Sequence, residues 1–226
     1  MTQPETTRWR PGKADLEAAY GRSIGDVLPA DGTPLAVLFC GINPSLYSGA
    51  TGHHFARPGN RFWPALWRSG FTDRLLAPYE QSLLPSYGLG ITNLVDRATA
   101  RADELTEEEL RAGGERLAAL VAHVSPAYVA VAGVTAYRTA FGSRRTSIGP
   151  QPGTIRPAGQ GAGSETLRPS HSPAGPSEVT GLRSRIWVLP NPSGLNASWS
   201  LDRIAGEFGR LRVAAARRLA EMGQSG

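Results

Sequence analysis

The sequence predicts an α/β fold, a three-layer sandwich in which a central, mostly parallel four-stranded sheet lies between helices. Three observations predict it. Short apolar runs of strand length alternate along the chain with segments of helical periodicity. The first, Leu35 to Cys40, is continuously apolar, as a strand covered on both faces can be. Each run stops at glycine, proline, asparagine or aspartate, residues that end a strand and start a turn.

In chain order, residues 1–30 read as a polar leader with Pro11-Gly12 and a short helical patch near 14–20. Leu35 to Cys40 is the first strand, closed by Gly41. Arg61 to Ser69 spaces Phe62, Leu66 and Trp67 in near-helical fashion before Gly70 stops it, and Trp63 and Trp67 read as core. Leu89 to Val95 is the second strand. Thr106 to Glu109 is a capping box that opens a helix running to about His123. Tyr128 to Ala132 is the third strand, with a helix near 135–141 after it, and Ile186 to Leu189 is the fourth. Residues 200–222 carry the longest helical pattern, with Leu201, Ile204, Phe208, Leu211 and Ala215 on one face. The Gly-, Pro- and Ser-rich stretch at about 148–184 has little periodicity and reads as an insertion in a single domain spanning 31–222. There is no internal repeat.

Composition narrows the class. With 40% hydrophobic and 19% charged residues the 226-residue chain is globular. No apolar run nears the roughly 20 residues that span a bilayer, and the first ten residues lack the apolar stretch of a secretory signal. The expectation is a soluble cytoplasmic protein. The lone Cys40 sits in the first apolar run and reads as core. Four histidines without paired cysteines give no metal signature, so neither metal nor cofactor is expected. A net charge of +5 suits a polyanionic partner. The only lysine, Lys13, lies in the leader. On DNA that would favour simple hydrolysis over Schiff-base chemistry.

In parallel sheets ligands sit beyond the carboxyl ends of the strands. After the first strand comes Gly41-Ile-Asn-Pro-Ser45. Asn43 is a short amide at a fixed turn that can donate and accept at once, and Phe55 offers a flat ring on which a base could stack. After the fourth strand comes Pro190-Asn-Pro-Ser-Gly-Leu-Asn196. Two prolines stiffen it, Gly194 permits close approach, and Leu195 reads either as an exposed apolar wedge or as packed under the loop. Asp96 and Arg97 read as an ion pair at a strand end. Arg57, Arg61, Arg144 and Arg145 read either as phosphate contacts or as solvated charges. His123 and His171 read as exposed.

Together, residues 41–63, Ile91-Thr-Asn-Leu-Val-Asp-Arg97 and Trp187 to Leu195 resemble the mismatch-specific uracil/thymine DNA glycosylases of the uracil-DNA glycosylase superfamily. The resemblance runs from about Leu35 to about Arg218, interrupted at 150–184. It implies a uracil-DNA glycosylase-like sheet and a monofunctional glycosylase that acts as a monomer, without cofactor, on duplex DNA containing a mismatched or damaged base, nucleoid-associated when bound. It also implies roles. Asn43 positions the attacking water. Ile42, Ser48, His54, Phe55 and Asn191 line the base pocket, with Phe55 stacked on the base and Ser48 near its C5 atom. Ser193, Gly194, Leu195 and Asn196 form the wedge loop. Ser48 resembles uracil-preferring members, whereas His53-His54 and Asn93 resemble thymine-acting ones. Ser45 replaces the usual glycine, and the arginine that some members carry after the wedge is replaced by Asn196-Ala-Ser-Trp199. Ser45 keeps open a lesion-binding protein without activity. A small-molecule hydrolase gives no reason for residues 190–195 and lacks a Gly-x-Ser-x-Gly elbow.

Overall fold

The computed structural model describes residues 10–143, 145–154 and 184–223. The part of the Gly/Pro/Ser-rich stretch from 155 to 183, with His171, lies outside the described residues, as do Arg144 and the first nine residues. Five strands form one sheet: β1 (Val37–Gly41), β2 (Leu89–Asn93), β3 (Tyr128–Ala132), β4 (Gly149–Thr154) and β5 (Arg185–Leu189), in the order β2-β1-β3-β5-β4. The β1–β2, β1–β3 and β3–β5 pairs are parallel. β4 runs antiparallel to β5 at the edge, with a register shift between Pro150 and Thr154.

The fifth strand corrects the expected count of four. Gly-Pro-Gln-Pro-Gly-Thr has no apolar alternation and two residues without an amide hydrogen, so nothing local marks it as a strand. An edge tolerates such a sequence because only one side must pair. At the opposite edge Val27 exchanges two backbone bonds with Ile91, of 2.8 and 2.9 Å, and so covers β2.

Side-chain alternation divides the interior. Val37, Phe39, Ala130, Trp187 and Leu189 face one layer and pack against α3 (Phe62–Arg68) and α6 (Leu201–Gly223). Leu38, Cys40, Val129, Val131, Ile186 and Val188 face the other, against α4 (Glu107–Val124) and α5 (Val134–Phe141). Both faces are buried, which is why the strands read as unbroken apolar runs. Two short helices, α1 (Lys13–Ala18) and α2 (Leu46–Thr51), pack on each other, and a 3-10 segment spans Pro78–Tyr87. α2 has no apolar periodicity of its own and was not expected from the pattern. Trp63 is core, but Trp67 is 44% exposed, on the outer side of α3.

α4 shows how packing positions a strand end. Thr106 caps it, accepting from the Glu109 amide at 3.2 Å while Glu109 accepts from the Thr106 amide at 2.8 Å. Two glycines inside this helix would ordinarily weaken it. A Cβ on Gly113 would lie 2.2 Å from the Leu94 carbonyl oxygen, and one on Gly114 2.7 Å from that of Ala140. Gly113 therefore lets α4 approach the backbone just beyond β2, and Gly114 lets it approach the end of α5. From that helix Arg116 donates to the Asn93 and Leu94 carbonyls and pairs with Asp96 at 2.7 Å. Arg97 instead holds Glu109, at 3.0 Å. Asp96 and Arg97 thus do not pair with each other; α4 supplies an opposite charge to each.

Candidate active site

A cleft of about 440 Å³ opens where the carboxyl ends of β1, β2, β3 and β5 converge. Its lining includes Ile42, Asn43, Ser48, His54, Phe55, Asn191, Ser193, Leu195 and Asn196, all singled out by the sequence. Gly194 belongs to the same turn without lining the cleft.

Asn43 follows β1, and both hydrogens of its amide are engaged. Nδ2 donates to the Arg97 carbonyl at 3.0 Å and to Thr99 Oγ1 at 2.7 Å. Thr99 spends its own proton on the Arg101 carbonyl at 2.7 Å, so its oxygen must be an acceptor for Asn43. A carbonyl cannot donate, which settles which end of the amide is nitrogen. Asn43 Oδ1 is left without a protein partner among the described residues. It is an acceptor held in one orientation at the cleft.

Ser45 departs from the glycine that the resemblance implies, yet its backbone (φ −69°, ψ 163°) is ordinary extended chain. Its hydroxyl caps α2 by accepting from the Ser48 amide and donates to Ser48 Oγ, each at 3.2 Å. Ser48 Oγ also accepts from the Ala56 amide at 3.2 Å, which ties α2 to the segment after Phe55. The substitution therefore adds a cap and leaves the turn unstrained.

His54 is 1% exposed. Its Nε2 contacts the Gly25 carbonyl at 2.9 Å and so must carry the proton; Nδ1 then accepts from Asn93 Nδ2 at 3.3 Å. Burial lowers its pKa, with the Gly25 bond opposing in part. A neutral imidazole fixes the amide of Asn93, whose Oδ1 lies against Gly41. A Cβ on Gly41 would be 2.4 Å from that oxygen and 3.3 Å from the Phe55 ring. Gly41 is thus required by the close approach of two cleft side chains.

Phe55 has φ +53°, a left-handed conformation costly for an aromatic residue. Its ring stacks on Phe62 (4.1 Å, 14°), which meets the core Phe39 edge-on at 5.3 Å. The cleft ring is thereby backed by the hydrophobic core.

On the opposite wall Asn191 Oδ1 accepts from the Ser193 amide at 3.0 Å, leaving its Nδ2 as a donor. Leu195 is 72% exposed, so its side chain projects from the turn instead of packing beneath it. Arg57 is exposed at the rim and forms no ion pair among the described residues. Arg61 is no phosphate contact: its guanidinium is committed to backbone carbonyls of residues 192–199.

A family model described as Uracil DNA glycosylase superfamily matches residues 30–212. The chain belongs to this superfamily. The match covers all five strands and every residue that lines the cleft except Ile24. Members of the uracil DNA glycosylase superfamily act on DNA, and membership points to a hydrolase of base excision repair. No helix among the described residues is long and apolar enough to cross a membrane, and none of their His, Cys, Asp and Glu side chains cluster as a metal site.

Two contributors to the cleft escaped the sequence. Thr99 orients Asn43 from 56 positions away, and nothing in Ala98-Thr-Ala100 signals it. The 100–103 segment closes one side of the cleft without any motif of its own.

Proposed function

We propose that this protein is a monofunctional, mismatch-specific uracil-DNA glycosylase that works as a monomer. It flips uracil, or a related modified pyrimidine, out of a G·U pair and hydrolyses its N-glycosidic bond. The observation that carries this reading is the fixed amide of Asn43, whose free Oδ1 can accept a proton of one water and aim it at the sugar.

Bond cleavage develops an oxocarbenium-like sugar, so a weak nucleophile suffices and needs orientation more than a strong base. An asparagine suits that task. Water attacks C1′ as the base leaves with the bonding electrons, and the proton lost by water passes to solvent or to the departing base. Backbone N–H groups around Ile42 and Phe55 stabilise the charge on that base. Phe55 stacks on its face, Asn93 Oδ1 accepts from its N3–H, and the buried Ser48 leaves little room for a methyl group at C5. Asn191 Nδ2 donates to the lesion nucleotide. Leu195 fills the vacated stack, with Ser193, Gly194 and Asn196 shaping the turn that carries it. A mismatched pair costs least to open, which favours G·U over A·U.

A lesion-binding protein without activity loses the feature that favoured it, because Ser45 caps α2 in an ordinary conformation.

The test is cleavage of a labelled duplex with one G·U pair, followed by alkali, for wild type and Asn43→Ala. The expected result is cleavage by wild type and a loss on the order of 100- to 1,000-fold in the variant. Equal cleavage by both would move water positioning elsewhere. No cleavage by wild type on G·U, G·T or single strands would overturn the glycosylase.

A further inference from the structure

Residues 55–61 and 191–199 are far apart in sequence, yet they interlock at two points. A Cβ on Gly194 would lie 2.7 Å from the Gly59 carbonyl oxygen, so the two turns touch backbone to backbone. Beside that contact, Arg61 reaches under the second turn. Its backbone amide donates to the Pro192 carbonyl at 2.9 Å. Its Nε donates to the same carbonyl at 3.4 Å and Nη2 to Asn196 at 2.8 Å, with further bonds from Nη2 to Ser193 and from Nη1 to Trp199. Among the described residues no carboxylate answers this cation. Its charge is met by carbonyl dipoles alone.

We infer that Arg61 is a positioning residue that clamps the 192–199 turn from beneath, so that Leu195 is presented as a pre-formed wedge. The inference rests on the glycosylase reading for its role and on the geometry for the clamp. Three features support it. Arg61 is the N-cap residue of α3, whose Phe62, Trp63, Ala65 and Leu66 are buried, so the clamp is anchored in the core. Its carbonyl partners flank Leu195 on both sides in sequence, which immobilises the turn while leaving the tip 72% exposed. Phe55 lies six residues before it on the same segment, so base stacking and wedge insertion share one rigid support. A turn already ordered loses little entropy when it enters DNA. Lysine cannot replace the fork, having one charged centre in place of planar donors that reach several carbonyls at once.

The clamp and its role are tested separately with Arg61→Lys and Arg61→Met, each first checked for cooperative melting. In the free protein, amide exchange across 192–199 should speed up in both variants, most for Met, with the sheet unchanged. Unchanged exchange would overturn the clamp. Single-turnover cleavage is then compared on a G·U duplex and on the same strand with uracil in an unpaired bubble, where no stack needs filling. Duplex cleavage should fall on the order of 10- to 100-fold, with the bubble within about threefold of wild type. The double variant with Leu195→Ala should be no worse than the poorer single variant, because both remove one function. Equal losses on duplex and bubble, or additive losses in the double variant, would reduce Arg61 to a general structural role and overturn the inference. A wild type that cleaves neither substrate would overturn the glycosylase reading and the role of Arg61 within it, while exchange still judges the clamp. Should Arg61→Met fail to fold, Arg61→Lys decides all three comparisons.

Discussion

The two walls of the cleft are built on opposite plans. The wall beyond β1 and β2 fixes side chains: Asn43 and Asn93 are locked by hydrogen bonds that spend the amide nitrogen of each and leave the oxygen for a ligand, and His54 spends both ring nitrogens in holding Asn93 to Gly25. The wall beyond β5 fixes backbone: the 191–199 turn is held by its carbonyls, and Leu195 is left exposed. On the glycosylase reading the difference follows from what each wall would do. Orienting a water or a base edge requires rotamers that cannot turn, whereas entering a base stack requires a stiff support with a free tip. Substitutions on the first wall should therefore change chemistry or stability, and substitutions at the tip of the second should change binding and opening of the duplex while leaving stability unmoved.

The largest expected effect is at Gly41. Gly41→Ala places a methyl group 2.4 Å from Asn93 Oδ1 and against Phe55, displacing both. We expect a loss of roughly 1–3 kcal/mol in chemical denaturation, together with a fall in cleavage greater than that of any other variant below. A wild-type melting curve would show that the first wall has slack.

Thr99→Val comes next. It keeps shape but removes the acceptor that holds one hydrogen of Asn43. The rate of chemistry should fall about tenfold, equivalent to about 1.4 kcal/mol of lost orientation. Affinity for the duplex should stay unchanged. A loss of affinity instead would place Thr99 in binding.

Leu195→Ala tests the second wall. With the side chain 72% exposed, melting should not move. Affinity for a G·U duplex should weaken by about 1 kcal/mol, roughly fivefold. A drop in melting temperature would mean that the tip is packed and that the two walls are less different than described.

The smallest effect is that of pH. Burial depresses the pKa of His54 below its ordinary value of 6.5. Above that value the ring is neutral in both folded and unfolded chains and contributes nothing. As pH falls through it the unfolded chain takes the proton first, so stability declines towards acid. Protonation would also remove the acceptor that Asn93 uses. His53 shifts in the same direction through burial, so the informative quantity is the difference between wild type and His54→Gln. The variant should lose less stability than wild type between pH 7 and about 5. Parallel curves would remove His54 as the cause.

Much of this was legible locally. Four strands showed themselves as apolar runs because a sheet covered on both faces needs no polar alternation, and the capping box at Thr106 announced α4. β4 was not legible, because an edge strand with two prolines carries no burial pattern. Trp67 misled, because helical spacing places a residue on a face without saying how far round that face is covered.

By itself the sequence determined the layered α/β plan, the strand-end loops and most of the groups that meet in the cleft, Thr99 and the 100–103 segment excepted. Those depend on burial period and turn chemistry, which neighbouring residues encode. Only the tertiary structure decided what holds those groups: Thr99 and Arg97 on Asn43, Gly25 and Asn93 on His54, Gly113 of α4 against Leu94, and Arg61 beneath the wedge turn. Each of those contacts joins residues some 20 to 140 positions apart. A hydrogen bond or a close backbone approach exists only once the sheet has brought the strand ends together, and no local pattern records which partner will arrive.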